Sequence, residues 1–489
     1  MEDVSNEAVA AKVARTGTDA GPIAKQVIPP KPAARSAKVS LWRYLRLFRA
    51  DLLSAQPAKL YRAWMAEFRT PFFRSYLVNQ PDLVDTVLKQ QPDAFPKSNR
   101  ISEGLRPLLG NSVFLTNGEI WKRQRRIIDP AFEGGRLRQV YPAMYAAAEA
   151  AITRLSGQLA GMPDQPIEIE AETSHAAADV IFRTLFSIPI EHHVAQEVFD
   201  RFRAYQQSQP ILNLAAFVPL PRWVPRFHRP ATRQNAARIR ALITDLTQRR
   251  MQAIDAGLAP DDLATKIMTT TDPETGEVFS TDDMVDQVAI FFLAGHETSA
   301  SALAWALYLV ALAPNWQDQI AKEASGLSLD SFANVSKLRV SRDVFREALR
   351  LYPPVPMMVR ETTCPQQFRD RILPEGAQVV LSPWHLHRHT RLWDNPDGFD
   401  PGRWQTENGK TCQRDAYIPF SAGPRVCTGA GFAMIEGPLI LSMILRRYRV
   451  TPVSGKEPVP VAHLTVRSKN GIWLRLTPLE SDAQPERER

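Results

Sequence analysis

The chain has 489 residues, 44% apolar and 23% charged, which leaves room for a sizeable core in one large domain or in two to four ordinary ones. The formal net charge of +8 is diffuse, with no zinc-finger spacing and no basic run interleaved with aromatics, which argues against a nucleic-acid reader. Three cysteines, Cys364, Cys412 and Cys427, are too few and too odd in number for a disulfide framework, so a reducing, cytoplasmic compartment is expected.

The first 40 residues hold no apolar segment of secretory-signal length. They are rich in Ala, Lys and Pro and read as a flexible arm. Residues 41–53 predict an amphipathic helix carrying Arg43, Arg46 and Arg49. It is expected to pack on its own domain, with weak peripheral membrane contact as the alternative. A strand is predicted at 72–78 and a helix at 81–90. Helical periodicity then runs over 118–128, 135–159, 170–187, 190–207 and 229–257. Between the last two, residues 208–228 are apolar, aromatic and proline-studded. They read equally as a lid over an apolar cavity or as a loop capping the core.

Residues 281–313 predict one long helix. Its stretch 288–313 has the length to span a bilayer. His296 and Glu297 lie within it, and an ionisable pair is costly in lipid. A helix buried through a globular domain is therefore expected, with no transmembrane anchor. Helices follow at 315–325, 341–351 and 429–447. Strands are predicted at Val355–Arg360, Val379–Ser382 and Ile472–Leu476. Residues 352–427 are otherwise loop-rich, as chain serving a site often is. Residues 479–489 read as a charged, solvated tail.

The chemistry centres on Phe420-Ser421-Ala422-Gly423-Pro424-Arg425-Val426-Cys427-Thr428-Gly429-Ala430-Gly431. A lone cysteine is usually a small buried hydrophobe. Glycines here allow tight turns and close approach of backbone to a flat ligand. The helix start offers unpaired N–H groups, which favour a thiolate. From these residues alone, packed thiol and metal ligand stay equally open.

The pattern Phe420, Gly423, Arg425, Cys427, Gly429 resembles the heme-binding signature of the cytochrome P-450 family of heme-thiolate monooxygenases. Other motifs of that family follow in its order. Glu347-Ala348-Leu349-Arg350 and Arg403, in Phe399-Asp400-Pro401-Gly402-Arg403-Trp404, match its charged structural triad. Ala294-Gly295-His296-Glu297-Thr298 matches its oxygen-activation segment. Trp121 and Arg125, four apart on one helical face, match a pair facing the heme carboxylates, with Arg360 and Arg425 as further candidates. The resemblance covers roughly residues 60–478.

The resemblance implies a mainly α domain with small β-sheets, over residues 41–478. It implies heme b held by Cys427 as axial ligand, with Trp121, Arg125, Arg360, Arg425, Phe420 and Gly429 around it. A thiolate suits oxygen activation because it pushes electron density to the iron. Glu297 and Thr298 are expected to manage protons, beside an oxygen groove lined by Ala294 and Gly295. The Thr298 hydroxyl is expected to take a backbone carbonyl from its helix. The implied reaction inserts one atom of O2 into an apolar organic substrate of terpenoid, fatty-acid or aromatic class. Electrons are expected from ferredoxin and its reductase or another separate donor, since no flavin domain follows. Rival readings are a peroxide-driven peroxygenase, a heme-thiolate isomerase and a non-catalytic heme sensor. The acid–alcohol pair argues against the first two, and the lack of a signalling domain against the third.

Charge alone predicts a docking face for an acidic partner at Lys122, Arg123, Arg126, Arg446 and Arg447. No iron ligation is assigned to His387, because the family keeps its distal side open. Substrate-lining residues are expected in 100–116, 208–228, 290–298 and 355–359, with Phe114, Phe291, Phe292, Met357 and Met358 prominent. A monomer is expected.

Overall fold

The computed structural model describes residues 27–36, 39–69, 74–162, 164–208 and 230–479. The greater part of the expected arm, the segment 209–228 and the charged tail lie outside the described residues, as do the first residues of the strand expected at 72–78.

The architecture is mainly helical with small sheets. At its centre runs the helix Thr281–Leu312, 32 residues long and about 48 Å from end to end. Ser280 and Asp283 form a reciprocal capping box at its start, satisfying two of the N–H groups that every helix start leaves free. Apolar side chains cover most of it, because other elements pack on most of its sides. It packs on the helices Ile169–Phe186, Pro230–Asp255, Arg339–Leu351 and Ala430–Leu445. His296 and Glu297 are buried within it. No helix among the described residues is long and apolar enough to cross a membrane.

The predicted helices form with ends shifted by a few residues, as Gly118–Ile128, Gly134–Gly161, Ile169–Phe186, His193–Ser208, Pro314–Ser325 and Arg339–Leu351. The helix expected at 81–90 ends at Asp85 and continues as a wider turn over Thr86–Gln90. Asn99–Leu109 and Leu263–Thr269 are helices that the periodicity did not reveal. Both are short, and the first carries Pro107 in its interior.

A four-stranded sheet has the order Met65–Arg69, Arg74–Val78, Gln378–Leu381, Met358–Glu361. Its central pair is parallel and the outer pairs are antiparallel. The strand expected at Val355–Arg360 starts at Met358. Pro354 and Pro356 have no N–H to give a ladder. The sheet sets Arg360 opposite Val379, and an isolated bridge sets Lys97 opposite Arg360. Two cations from distant segments thus meet at one edge.

Residues 27–36 lie along the body. The Phe399 N–H donates to Val27 O at 2.9 Å, and the Arg35 N–H to Gln56 O at 3.1 Å. Tyr352 Oη donates to Pro30 O at 2.6 Å.

Candidate active site

A cavity of about 2560 Å³ opens between the long helix and the cysteine loop. Cys427, Phe420 and Gly429 line one wall, and Ala294, Thr298 and Ser299 line another. The cysteine loop is tightly folded. The Cys427 N–H donates to Phe420 O at 2.9 Å, and the Val426 N–H to Gly423 O at 3.0 Å. Gly423 has φ +68°, and a Cβ there would lie 2.0 Å from Leu88 O. Only glycine fits that turn.

Cys427 is exposed by area but its open face lies inside the cavity. Burial pushes its thiol pKa up, against the pull of the Gly429 N–H and of Arg125 and Lys97. The Gly429 N–H pulls towards thiolate, as expected of the helix start, while burial of the metal-free thiol pulls the other way. A bound cation would reverse the balance, because a coordinated thiol loses its proton outright.

At one edge of the cavity lie Lys97, Trp121, Arg125, Arg360 and Arg425. Arg425 stacks on Trp121, 4.0 Å from its ring centre. It donates to Asn117 Oδ1 at 2.8 Å and Thr116 O at 3.2 Å. Arg125 donates to Val426 O at 2.7 Å and pairs with Asp129. Arg360 is buried, and among the described residues its side chain makes one hydrogen bond, a long one to Val359 O at 3.4 Å. Burial lowers its pKa to about 10 and that of Arg425 to about 10, with Arg360 adding to the effect on Arg425. Burial, then the three arginines, lowers that of Lys97. Among the described residues, neither Lys97, Arg360 nor Arg425 forms an ion pair, and the Trp121 indole N–H meets no acceptor. Buried cations left without counter-charge are costly. This edge therefore fits a ligand that carries carboxylates, as heme does.

Thr298 Oγ1 donates to Ala294 O at 2.5 Å, the arrangement expected of this hydroxyl. Ala294 is exposed to the cavity. A Cβ at Gly295 would lie 2.4 Å from Ile181 Cδ1, so this glycine serves close packing with the Ile169–Phe186 helix. Glu297 Oε1 accepts from Thr465 Oγ1 at 2.6 Å and faces Arg467 Nε at 3.3 Å. Its Oε2 accepts from Gln206 Nε2 at 2.9 Å. Sequence reasoning did not find Lys97, Gln206, Thr465 or Arg467, which stand outside any motif.

Behind the cysteine loop, Glu347 accepts from Arg350 twice, at 2.8 and 2.9 Å, and from Arg403 at 2.9 Å. The three are almost wholly buried. The arginines also hold the carbonyls of His387, Asp394, Asn395, Pro396 and Gly398. His387 Nε2 accepts the Ile418 N–H at 2.9 Å, and Nδ1 lies 3.3 Å from Arg350 O. Burial lowers its pKa to about 3. Both ring nitrogens are engaged by backbone, away from the cavity lining.

Three of the five cations expected in the basic docking face are ion-paired. Lys122 pairs with Glu119, Arg123 with Glu277, and Arg126 with Asp272 and Glu274. These pairs blunt the field of three of the five cations. Among the described residues, Arg446 and Arg447 form no ion pair.

Comparison with known proteins agrees with this geometry. The family model "Cytochrome P450" matches residues 58–475. Cyclooctatin synthase of Streptomyces melanosporofaciens is 33% identical over 80% of this chain and 84% of its own. Cyclooctat-9-en-7-ol 5-monooxygenase of the same organism is 32% identical over 85% and 87%. The crystal structure of the cytochrome P450DA heme domain superposes with a TM-score of 0.75 at 23% identity, covering 93% of this chain and 99% of that one.

Proposed function

Because the chain belongs to the cytochrome P450 family and is a heme-dependent monooxygenase, we propose that it oxidises an apolar organic substrate through the site built around Cys427 and Thr298. Heme, when bound, supplies the redox chemistry that splits O2 and inserts one oxygen atom into a substrate.

Cys427 Sγ would hold the iron. Phe420 and Gly429 shape the wall around that sulfur. Trp121, Arg125, Arg360 and Arg425 would hold the heme carboxylates, joined by Lys97. Thr298 holds its hydroxyl at the cavity, oriented by its donation to the Ala294 carbonyl. Glu297 would supply protons to this hydroxyl through water. Ala294 and Thr298 leave a small space beside the helix for O2. Glu347, Arg350 and Arg403 position the loop that carries Cys427.

Phe291, Leu293, Val355, Met357 and Met358 give the cavity an apolar lining, which binds apolar molecules by removing them from water. Phe114 also lines it, whereas Phe292 packs on Phe182 behind the wall. Terpenoid, fatty-acid and aromatic substrates all suit such a lining. The relative named for cyclooctat-9-en-7-ol makes apolar alkenols the first molecules to screen. A separate donor, a ferredoxin with its reductase, would bring electrons in the cytoplasm.

The observation that carries this reading is that buried Arg360 and half-buried Lys97 and Arg425, without an ion pair among the described residues, meet at the edge of the Cys427 cavity. Turnover with ferredoxin, its reductase and ¹⁸O2 is the test. One labelled oxygen atom in each product molecule is expected. Product without label would contradict it.

A further inference from the structure

Distant parts of the chain meet at one buried carboxylate, that of Asp286 in the second turn of the long helix. Its Oδ2 accepts the Asn111 N–H at 2.6 Å. Its Oδ1 accepts from Arg240 Nη1 at 2.7 Å, and the same nitrogen donates to Leu108 O at 3.0 Å. Gly110 makes this meeting possible. It has φ +50°, and a Cβ there would lie 2.1 Å from Asp286 Oδ1, so backbone and carboxylate approach as only glycine allows. The next residue of the helix, Gln287, is buried too, and its Oε1 accepts the Val113 N–H at 2.9 Å.

These contacts hold a wall of the cavity. Val113, Phe114 and Leu115 line it, and so does Ile290, one turn on from Asp286 along the same helix face. The far end of this stretch is tied to the cation edge. Thr116 O and Asn117 Oδ1 accept from Arg425 at 3.2 and 2.8 Å, and Lys97 Nζ donates to Phe114 O at 2.8 Å. The wall is therefore fixed at both ends, and Asp286 with Gln287 sets its distance from the long helix. Arg240 comes from the helix Pro230–Asp255, so a third element shares the anchor.

We propose that Asp286 is a specificity-determining positioning residue, which fixes the wall Val113–Leu115 against the long helix and, through Arg240, ties that wall to the helix Pro230–Asp255. The inference rests on the reading of the cavity as an apolar substrate site. Asp286 is not itself part of the lining, so it acts through the shape of the cavity. The chemistry of the junction calls for a carboxylate. Both oxygens accept, one from the loop backbone and one from the guanidinium. An amide has one acceptor oxygen and would turn its NH2 towards one of these donors. A donor buried without a partner is costly, so the loop or the arginine must move. Groups that share one anchor in this way are energetically coupled.

The test uses the holoenzyme with Asp286→Asn and Arg240→Met. Hydrogen exchange of the peptide that carries Asn111 and Val113 reports the hold on the wall. Soret shifts on titration with dodecanol and with farnesol give two dissociation constants, whose ratio reports the shape of the cavity. The spectrum of the reduced protein with carbon monoxide checks that heme is bound as in the unmodified protein. In D286N, exchange of that peptide is expected to be about tenfold faster or more. The dodecanol-to-farnesol ratio should change by about tenfold, the effect of about one methylene group in a hydrophobic pocket. R240M keeps the Asn111 contact and should move both readouts in the same direction, by less. A D286N protein that melts earlier but keeps the ratio shows a merely stabilising residue and overturns the inference, as does unchanged exchange. Should D286N not retain heme, R240M decides alone, because its side chain is partly exposed, at 29%, and an R240M protein unchanged in both readouts overturns the inference. If neither alcohol shifts the Soret band of the unmodified protein, the reading of the cavity as an apolar substrate site falls and this inference with it. If both alcohols bind and the variants keep the ratio, the inference alone falls.

Discussion

Arg403 Nε donates to Glu347 Oε1 at 2.9 Å, joining residues 56 positions apart in the chain. The same oxygen accepts from Arg350, so one carboxylate oxygen binds two buried guanidiniums. Each arginine spends its remaining donors on carbonyls of the 387–398 segment. The charged triad is thus the fastener of the chain that leads into the cysteine loop.

Removing one member leaves buried charge unpaired, at a cost of about 3–5 kcal/mol. Glu347→Gln is expected to lower the thermal midpoint and the heme bound per chain together. Heme absorbance per purified protein and a melting curve measure both. A variant with full heme content would refute the fastening role.

Gly423→Ala meets two obstacles. An L-residue in the left-handed region costs roughly 1–2 kcal/mol, and its Cβ would lie 2.0 Å from Leu88 O. The loop must shift, and Cys427 with it. Reduced heme retention is expected, seen as faster heme transfer to an acceptor protein. Gly429→Ala should be milder, because a Cβ there meets the Cys427 sulfur at 3.9 Å.

Three histidines make the fold acid-sensitive. Burial holds His296, His385 and His387 at about 3, against an ordinary value of 6.5. Their folded-state pKa is depressed, so the unfolded chain binds more protons below the ordinary value. The stability contributed by the neutral rings is complete above about 6.5 and is lost as pH falls towards about 3. Denaturant midpoints measured down this range should fall steeply. His387→Gln removes one titrating ring and should flatten the slope. A flat wild-type profile would count against neutral burial.

These outcomes show what was legible in the sequence. Cys427, the Glu347–Arg350 spacing and the Glu297–Thr298 pair were readable because each lies within one short segment with a fixed local geometry. The partners of Glu297 were not. Gln206, Thr465 and Arg467 come from other elements, and only tertiary packing brings them to the long helix. Lys97 was missed for the same reason, since it reaches Arg360 through an isolated bridge. Gly295, read as part of an oxygen groove, lines the cavity and also lies against Ile181, a packing partner that the sequence did not show. The docking cations were read one at a time, and the acidic partners of Arg123 and Arg126, distant in sequence, were not visible.

Thr298→Ala removes the cavity hydroxyl and frees the Ala294 carbonyl. General acid–base assistance is worth about 10²-fold or more, so substrate oxidation should fall by that order while O2 is still consumed. The missing product should appear as peroxide. Product and peroxide measured in one reaction decide it. Unchanged product with no extra peroxide would end the proton role of Thr298.

The central claim is that Cys427 holds the heme iron as a thiolate. The visible spectrum of the reduced protein with carbon monoxide tests it most directly. The unmodified protein is expected to show the strongly red-shifted Soret band of thiolate ligation, and Cys427→Ser, with heme still bound, to lose it. A red-shifted band that survives in C427S would contradict the account.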